Sequence, residues 1–180
     1  MQRRSMGNIY ILGSCILLVS ILVFYKYPIE LNKSYKGIQF KLGTENAGME
    51  ERVTVELSGE VRRTVFGKNI FNGKIELHGD AMDQVGLKEQ VEFSLGNGYG
   101  NGGSISYIDD VTDKVLYFGT MYISDDYISI AIERNEQIEA GSSVWTSENG
   151  IVISAPASNR EEGLEIANEL MKHESIEPFQ

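Results

Sequence analysis

Cysteine is almost missing from this chain. Of 180 residues one is Cys, and Cys15 lies inside an apolar run at positions 9–25. Residues 28–180 therefore hold no disulfide, whatever the redox state of their surroundings. Cysteine-ligated zinc, an iron–sulfur cluster and a thiol nucleophile are excluded from them as well. Histidine is scarce too, with His78 and His173 the only two. A Ser-His-Asp site would have to use one of them, and no Gly-x-Ser-x-Gly elbow is present. Basic residues are outnumbered, 16 against 26 acidic, for a formal net charge of −10. Setting aside Arg3, Arg4 and Lys26, the three basic residues of positions 1–27, takes that −10 to −13 for residues 28–180. Phosphate backbones are bound by Lys and Arg, so nucleic acid is excluded as a partner. The acidity itself serves solubility.

What the chain does have is an N-terminal hydrophobic segment. Residues 9–25 carry no charged side chain, a length at the short end for a helix that crosses a bilayer. Tyr10, Tyr25 and Tyr27 suit the interfaces, and Arg3 and Arg4 precede the run. The positive-inside rule then puts the N-terminus in the cytoplasm and residues 28–180 outside. A cleaved signal peptide would need a small-x-small site, and Tyr25-Lys-Tyr-Pro-Ile-Glu30 offers bulky residues. Leu12-Gly-Ser-Cys15 has the look of a lipobox, which would lipidate Cys15. The apolar stretch before it is too short, and strongly apolar residues continue after it. The reading is an uncleaved single-pass anchor over 1–27, a stalk over 28–34, and one domain over 35–180. That domain is long enough to bury a core of its own.

Beyond the stalk the hydrophobic period is two. Ile38, Phe40 and Leu42 alternate with Gln39 and Lys41. Val53, Val55 and Leu57 alternate with Arg52, Thr54 and Glu56. Further runs centre on Ile75, Phe93 and Ile130. Each reads as a strand with one buried and one wet face. Residues 115–118 and 121–123 are apolar on both faces, as in a central or covered strand. Gly67-Lys68-Asn69 reads as a hairpin turn, and Asn149-Gly150 as a two-residue hairpin joining Trp145 to Ile151. The period then changes. Ser158 with Glu161 forms a capping box, and Leu164, Ala167, Leu170 and Met171 recur at helical spacing. Lys172 and His173 fall in the last turn, giving a helix over about 159–173 that docks on the sheet. The expected fold is mainly β, a sandwich or a strongly curled antiparallel sheet with one C-terminal helix.

Each candidate site has a plainer explanation beside it. Gly96-Asn-Gly-Tyr-Gly-Asn-Gly-Gly103 contains G-x-G-x-x-G, but a dinucleotide loop opens a helix and this one runs into Ser104-Ile-Ser-Tyr-Ile108, a strand. It reads as a flexible hairpin loop with Tyr99 at its tip. Asp109, Asp110 and Asp113, and again Asp125 and Asp126, match no calcium loop and suit turns. His78 and His173 read as solvent-facing. Trp145 reads as core, with a partner contact as the alternative. No catalytic, cofactor-binding or metal-ligating residue is assigned, and no cofactor is expected. Tyr99 and Trp145 are the candidate partner contacts.

Three stretches carry a resemblance: Gly119-Thr-Met-Tyr-Ile-Ser-Asp-Asp126, Ile153-Ser-Ala-Pro-Ala-Ser-Asn-Arg160 and Glu165-Ile-Ala-Asn-Glu-Leu-Met171. Over roughly residues 50–172 the chain resembles small membrane-anchored cell-envelope proteins of Gram-positive bacteria. The resemblance implies an envelope setting and a stable single domain, and carries over no site residues. The functional expectation is a membrane-tethered extracytoplasmic binding or accessory protein. Its partners would be the lipid bilayer and an envelope protein or polymer. The alternative is a glycan hydrolase with paired carboxylates, which requires a cleft and two facing acids.

Overall fold

Alternating apolar residues favour strands because successive side chains leave a pleated backbone on opposite faces. The computed structural model describes residues 10, 12–18, 20, 27–46, 48–63, 69–79, 88–95, 102–109, 113–139, 142–174 and 177–180. Its strands are β1 (Ile29–Lys41), β2 (Glu50–Arg63), β3 (Asn69–Gly79), β4 (Lys88–Leu95), β5 (Gly102–Asp109), β6 (Lys114–Ile123), β7 (Ile130–Arg134), β8 (Glu136–Glu139), β9 (Ser142–Val144) and β10 (Ile151–Ala155). One helix follows them, α1 (Arg160–Leu170). Eight strands form one sheet in the order β4-β3-β2-β1-β10-β7-β6-β5, and β8 and β9 form a separate ribbon. Every pairing is antiparallel.

The sheet curls strongly, so that β4 and β5, at opposite ends of the strand order, lie beside each other. Of the two expected architectures the curled sheet is the one observed. Its inner face carries Tyr35, Val55, Phe71, Ile105, Met121, Ile132 and Ile153, drawn from seven strands into one cluster. A second cluster lies outside, where α1 covers Ile38, Phe40, Tyr122, Ala131 and Val152.

The helix starts one residue later than the capping box suggests. Asn159 is the N-cap, and its side chain accepts from the Glu162 N–H. Glu162 reaches back to the Ser158 N–H at 2.8 Å and the Ser158 hydroxyl at 2.7 Å. These bonds hold the Glu162 carboxyl below the usual carboxylate range. The helix ends at Leu170, leaving Lys172 and His173 beyond its last turn. The face against the sheet is set by Gly163, Ala167 and Met171, all buried, while Leu164 and Leu170 are half-buried. At Gly163 a Cβ would lie 2.7 Å from the Phe40 ring and 3.0 Å from Ile38, so only glycine lets helix and sheet approach this closely. The chain end docks here too. Phe179 is buried, and Asn168 clamps its backbone, accepting from its N–H at 2.6 Å and donating to its carbonyl at 3.3 Å.

Four other expectations need correction. Ile29 to Ser34, read as a stalk, are the first half of β1, paired with β2 from Ile29↔Val61 onward. Gln39, placed on a wet face, is buried, because the helix covers one face of β1 and the curled sheet encloses the other. Asn149 and Gly150 belong to a turn closed by Gly150 N–H to Thr146 carbonyl, 2.8 Å. That turn joins no hairpin, since β9 pairs with β8 whereas β10 pairs with β1 and β7. Gly102 and Gly103 are strand residues of β5, not loop.

The expectation of a membrane helix over residues 9–25 falls in part on residues outside those described. The described ones at positions 10, 12–18 and 20 are helical and exposed, with Leu12, Ile16, Leu17 and Leu18 among them. Among the described residues no helix is long and apolar enough to cross a membrane.

Candidate functional site at the far mouth of the curled sheet

β1 enters the sheet at Ile29 and runs 13 residues, a length of roughly 40 Å at about 3.3 Å per residue. The curled sheet therefore has two ends well apart. At the entry end lie the turn at 124–129 and the start of β1. The Tyr127 carbonyl there accepts from the Tyr35 hydroxyl at 2.8 Å and from Lys33 Nζ at 2.6 Å. Burial, helped by the nearby Asp126 charge, pushes the Tyr35 hydroxyl up to about 12. Asp126 shapes this turn by accepting from the Ser124 hydroxyl and the Ile128 N–H, bonds that hold its carboxyl low. The turn reading of Asp125-Asp126 thus describes what the structure shows.

The far end is different. The inner face there continues as Gln39, Glu51, Arg134 and Ile151, in register with the apolar Val53, Ile132 and Ile153 deeper in. Gln39 is only 9% exposed. Its amide is held at both ends, Oε1 accepting from Arg134 at 2.9 Å and Nε2 donating to Glu51 at 3.3 Å. A buried amide satisfied this way has one orientation. Beside it, Lys41 and Glu136 lie 3.9 Å apart. These groups, with Met49 from the β1–β2 connection and Glu50 at the start of β2, line a depression of about 440 Å³. Met49 is 60% exposed at its rim. A second depression of about 720 Å³ lies between that connection and the chain end, lined by Thr44, Glu148, Glu174, Glu177 and Phe179 among others.

The first depression is polar and charged. Two cations and three carboxylates surround a fixed amide, suited to hydrogen-bonding a polar chain or peptide. Among the described residues its lining includes no Ser, His or Cys to act as nucleophile or relay.

One carboxyl does have the perturbation expected of an acid catalyst. Glu133 on β7 is 8% exposed. Desolvation, together with the Glu174 charge, pushes its carboxyl up to about 7, against the opposing hydrogen bonds of Thr120 and Tyr122. Its Oε1 is buried and, among the described residues, has no hydrogen-bond partner. Burial and the two carboxylates raise the Tyr122 hydroxyl in turn. Glu133 sits at the edge of the helix-covered core and lines neither of the two depressions.

Of the sequence-chosen contacts, Trp145 is half-buried, its indole N–H donating to the Ile151 carbonyl at 3.0 Å and its ring edge meeting Phe179. Tyr99 lies outside the described residues. His78 and His173 are solvent-facing. Sequence reasoning missed Gln39, Arg134 and Glu133, which stood out only as polar members of apolar strands. No family model, curated protein or solved structure matches the chain.

Proposed function

We propose that the chain is a membrane-tethered binding or accessory module of a bacterial cell envelope. Its N-terminal segment would be the anchor, and the far mouth of the curled sheet the recognition surface. One observation carries the binding reading: buried Gln39, locked between Glu51 and Arg134, floors an open polar depression at the end of β1 opposite its entry. An anchor at residues 1–27 would leave that mouth pointing away from the bilayer. The basic start, the uncharged run and the resemblance to envelope proteins support the setting. The ligand class is a polar envelope polymer or an extended protein segment.

The test is photo-crosslinking in intact cells of the resembled type. A photoreactive residue at Met49 should give a discrete adduct, while one at Ile128, exposed at the entry end, should not. Equal labelling at both positions, or none at Met49, refutes the site. A reporter fused after Gln180 should be active outside the cytoplasm and remain with the membrane fraction.

The paired-carboxylate hydrolase keeps one observation in its favour, the raised Glu133 carboxyl beside Glu174. That reading requires release of reducing ends from purified cell-wall glycan, abolished by Glu133→Gln.

A further inference from the structure

On the outer face of β2 and β3, away from α1, the register sets Glu56 directly opposite Glu76, with Thr54 opposite His78. His78 follows Glu76 by two residues, so both point to the same side of the sheet. Glu56 is then the direct neighbour of one and the diagonal neighbour of the other. The His78 Nε2 lies 3.8 Å from Glu56 Oε2 and 3.7 Å from Glu76 Oε2. One ligand atom from each of the three falls within 4.8 Å of the other two.

We propose that Glu56, Glu76 and His78 form a binding site for a divalent transition metal of the zinc type. The distances are those of a site nearly assembled. Zinc bonds of about 2.0–2.2 Å place tetrahedral ligand atoms about 3.3–3.5 Å apart. The two histidine–carboxylate separations need to close by only a few tenths of an ångström, and the carboxylate pair, within 4.8 Å, by no more than about 1.5 Å, which side-chain torsions supply. The strands beneath do not move, because the β2–β3 ladder is continuous on both sides of the triad. The electrostatics point the same way. Two glutamates directly opposite each other on one sheet face repel, and a cation between them removes the cost. One imidazole nitrogen with two carboxylate oxygens is a borderline donor set. It suits zinc and its first-row neighbours better than calcium or magnesium, which take oxygen alone. Three protein ligands leave a coordination position open to water or to a group from outside the chain. The site stands on a different face from the mouth described above and does not depend on the binding function proposed there.

The test uses the full chain in mild detergent, titrated with zinc chloride by calorimetry. One equivalent should bind saturably in the micromolar range. Affinity should fall as pH is lowered, because the ligands must lose their protons to bind metal. His78→Ala and Glu76→Gln should each weaken binding by at least about tenfold, the scale of even an outer-shell loss. His173→Ala, at the other histidine, should leave it unchanged. Cobalt(II) in place of zinc should give the visible absorption of a four- or five-coordinate ion, lost in His78→Ala. His78 is half exposed, so its variant should fold, and Glu76→Gln reads the same site independently. Absence of saturable binding overturns the proposal. So does zinc binding that survives both variants or is lost with His173.

Discussion

The two hydrophobic cores share a sheet but are closed in different ways. The inner core is enclosed by the strands of the curled sheet, most of them paired along both edges. The outer core is closed by an 11-residue helix and by the chain end, which Asn168 and Arg160 hold through a few hydrogen bonds. The inner core is apolar along its length and turns polar only at the far mouth. The outer core admits a buried carboxyl, Glu133, within its own border. An enclosed sheet interior has no water to satisfy a stray charge, whereas a helix edge allows one at a cost. The polar chemistry of the molecule gathers where enclosure ends.

The largest effect should come from the inner core. Phe71→Ala removes a fully buried ring and should cost about 3–5 kcal/mol. Urea unfolding at constant pH measures it. A loss below about 1 kcal/mol, nearer the surface range, would mean that the sheet is not closed around this residue.

Met171→Ala probes the outer core. The side chain is fully buried, and such a truncation costs about 2–5 kcal/mol where the surroundings cannot collapse. The helix can settle toward the sheet, so the lower half of that range is expected. Hydrogen exchange sharpens the comparison. Amides of α1 should exchange before those of β1 and β2, and equal protection would show that the two cores open as one unit.

Glu133 gives the next effect, and it depends on pH. Its folded-state carboxyl titrates near 7, above its ordinary 4.5. Below 4.5 both states are protonated and the burial carries no ionic penalty. Between 4.5 and 7 the unfolded chain ionises first, so stability falls as pH rises, and above 7 the penalty stays constant. Glu133→Gln should remove that slope and stabilise the protein at pH 8 by up to about 3 kcal/mol. Melting curves of both proteins at pH 4.5, 6 and 8 decide it. A difference independent of pH would mean that this carboxyl titrates alike in the folded and unfolded chain.

The smallest effect lies at the entry to the helix. Asn159→Ala removes the acceptor for the Glu162 N–H, 3.0 Å away, and should cost about 1 kcal/mol. If α1 is held by docking more than by its cap, the loss will stay near that value while the β signal in circular dichroism is unchanged.

Much of the fold was legible along the chain, and each miss has a physical cause. The runs at 53–57 and 130–132 became strands because β-branched and alternating residues prefer a pleated surface. The helix was legible for the same local reason, although its cap moved by one residue, since Ser158 and Asn159 are both good caps and the difference is settled by docking. Gln39 was misjudged because alternation records that two faces exist, not how many are covered. Val115 and Met121 in one strand make the point. Val115 is exposed at the start of β6, while Met121 is buried further along inside the curl.

The sites were less legible than the fold. Gln39, Glu51 and Arg134 are scattered along the chain and meet through the register of β1 with β2 and β10, and of β10 with β7. Glu56 and His78 meet only because β2 and β3 pair in one register, and a slip of one residue would turn them to opposite faces. What the sequence by itself determined is local: period, turn residues, helix signals, the uncharged N-terminal run and the exclusion of cysteine chemistry. These depend on interactions within a few residues. Only the tertiary structure decided that the sheet curls, that α1 makes a second core on its outside, and that three polar clusters form. Those depend on contacts between strands far apart in the chain, whose register is set by the burial of every apolar face at once.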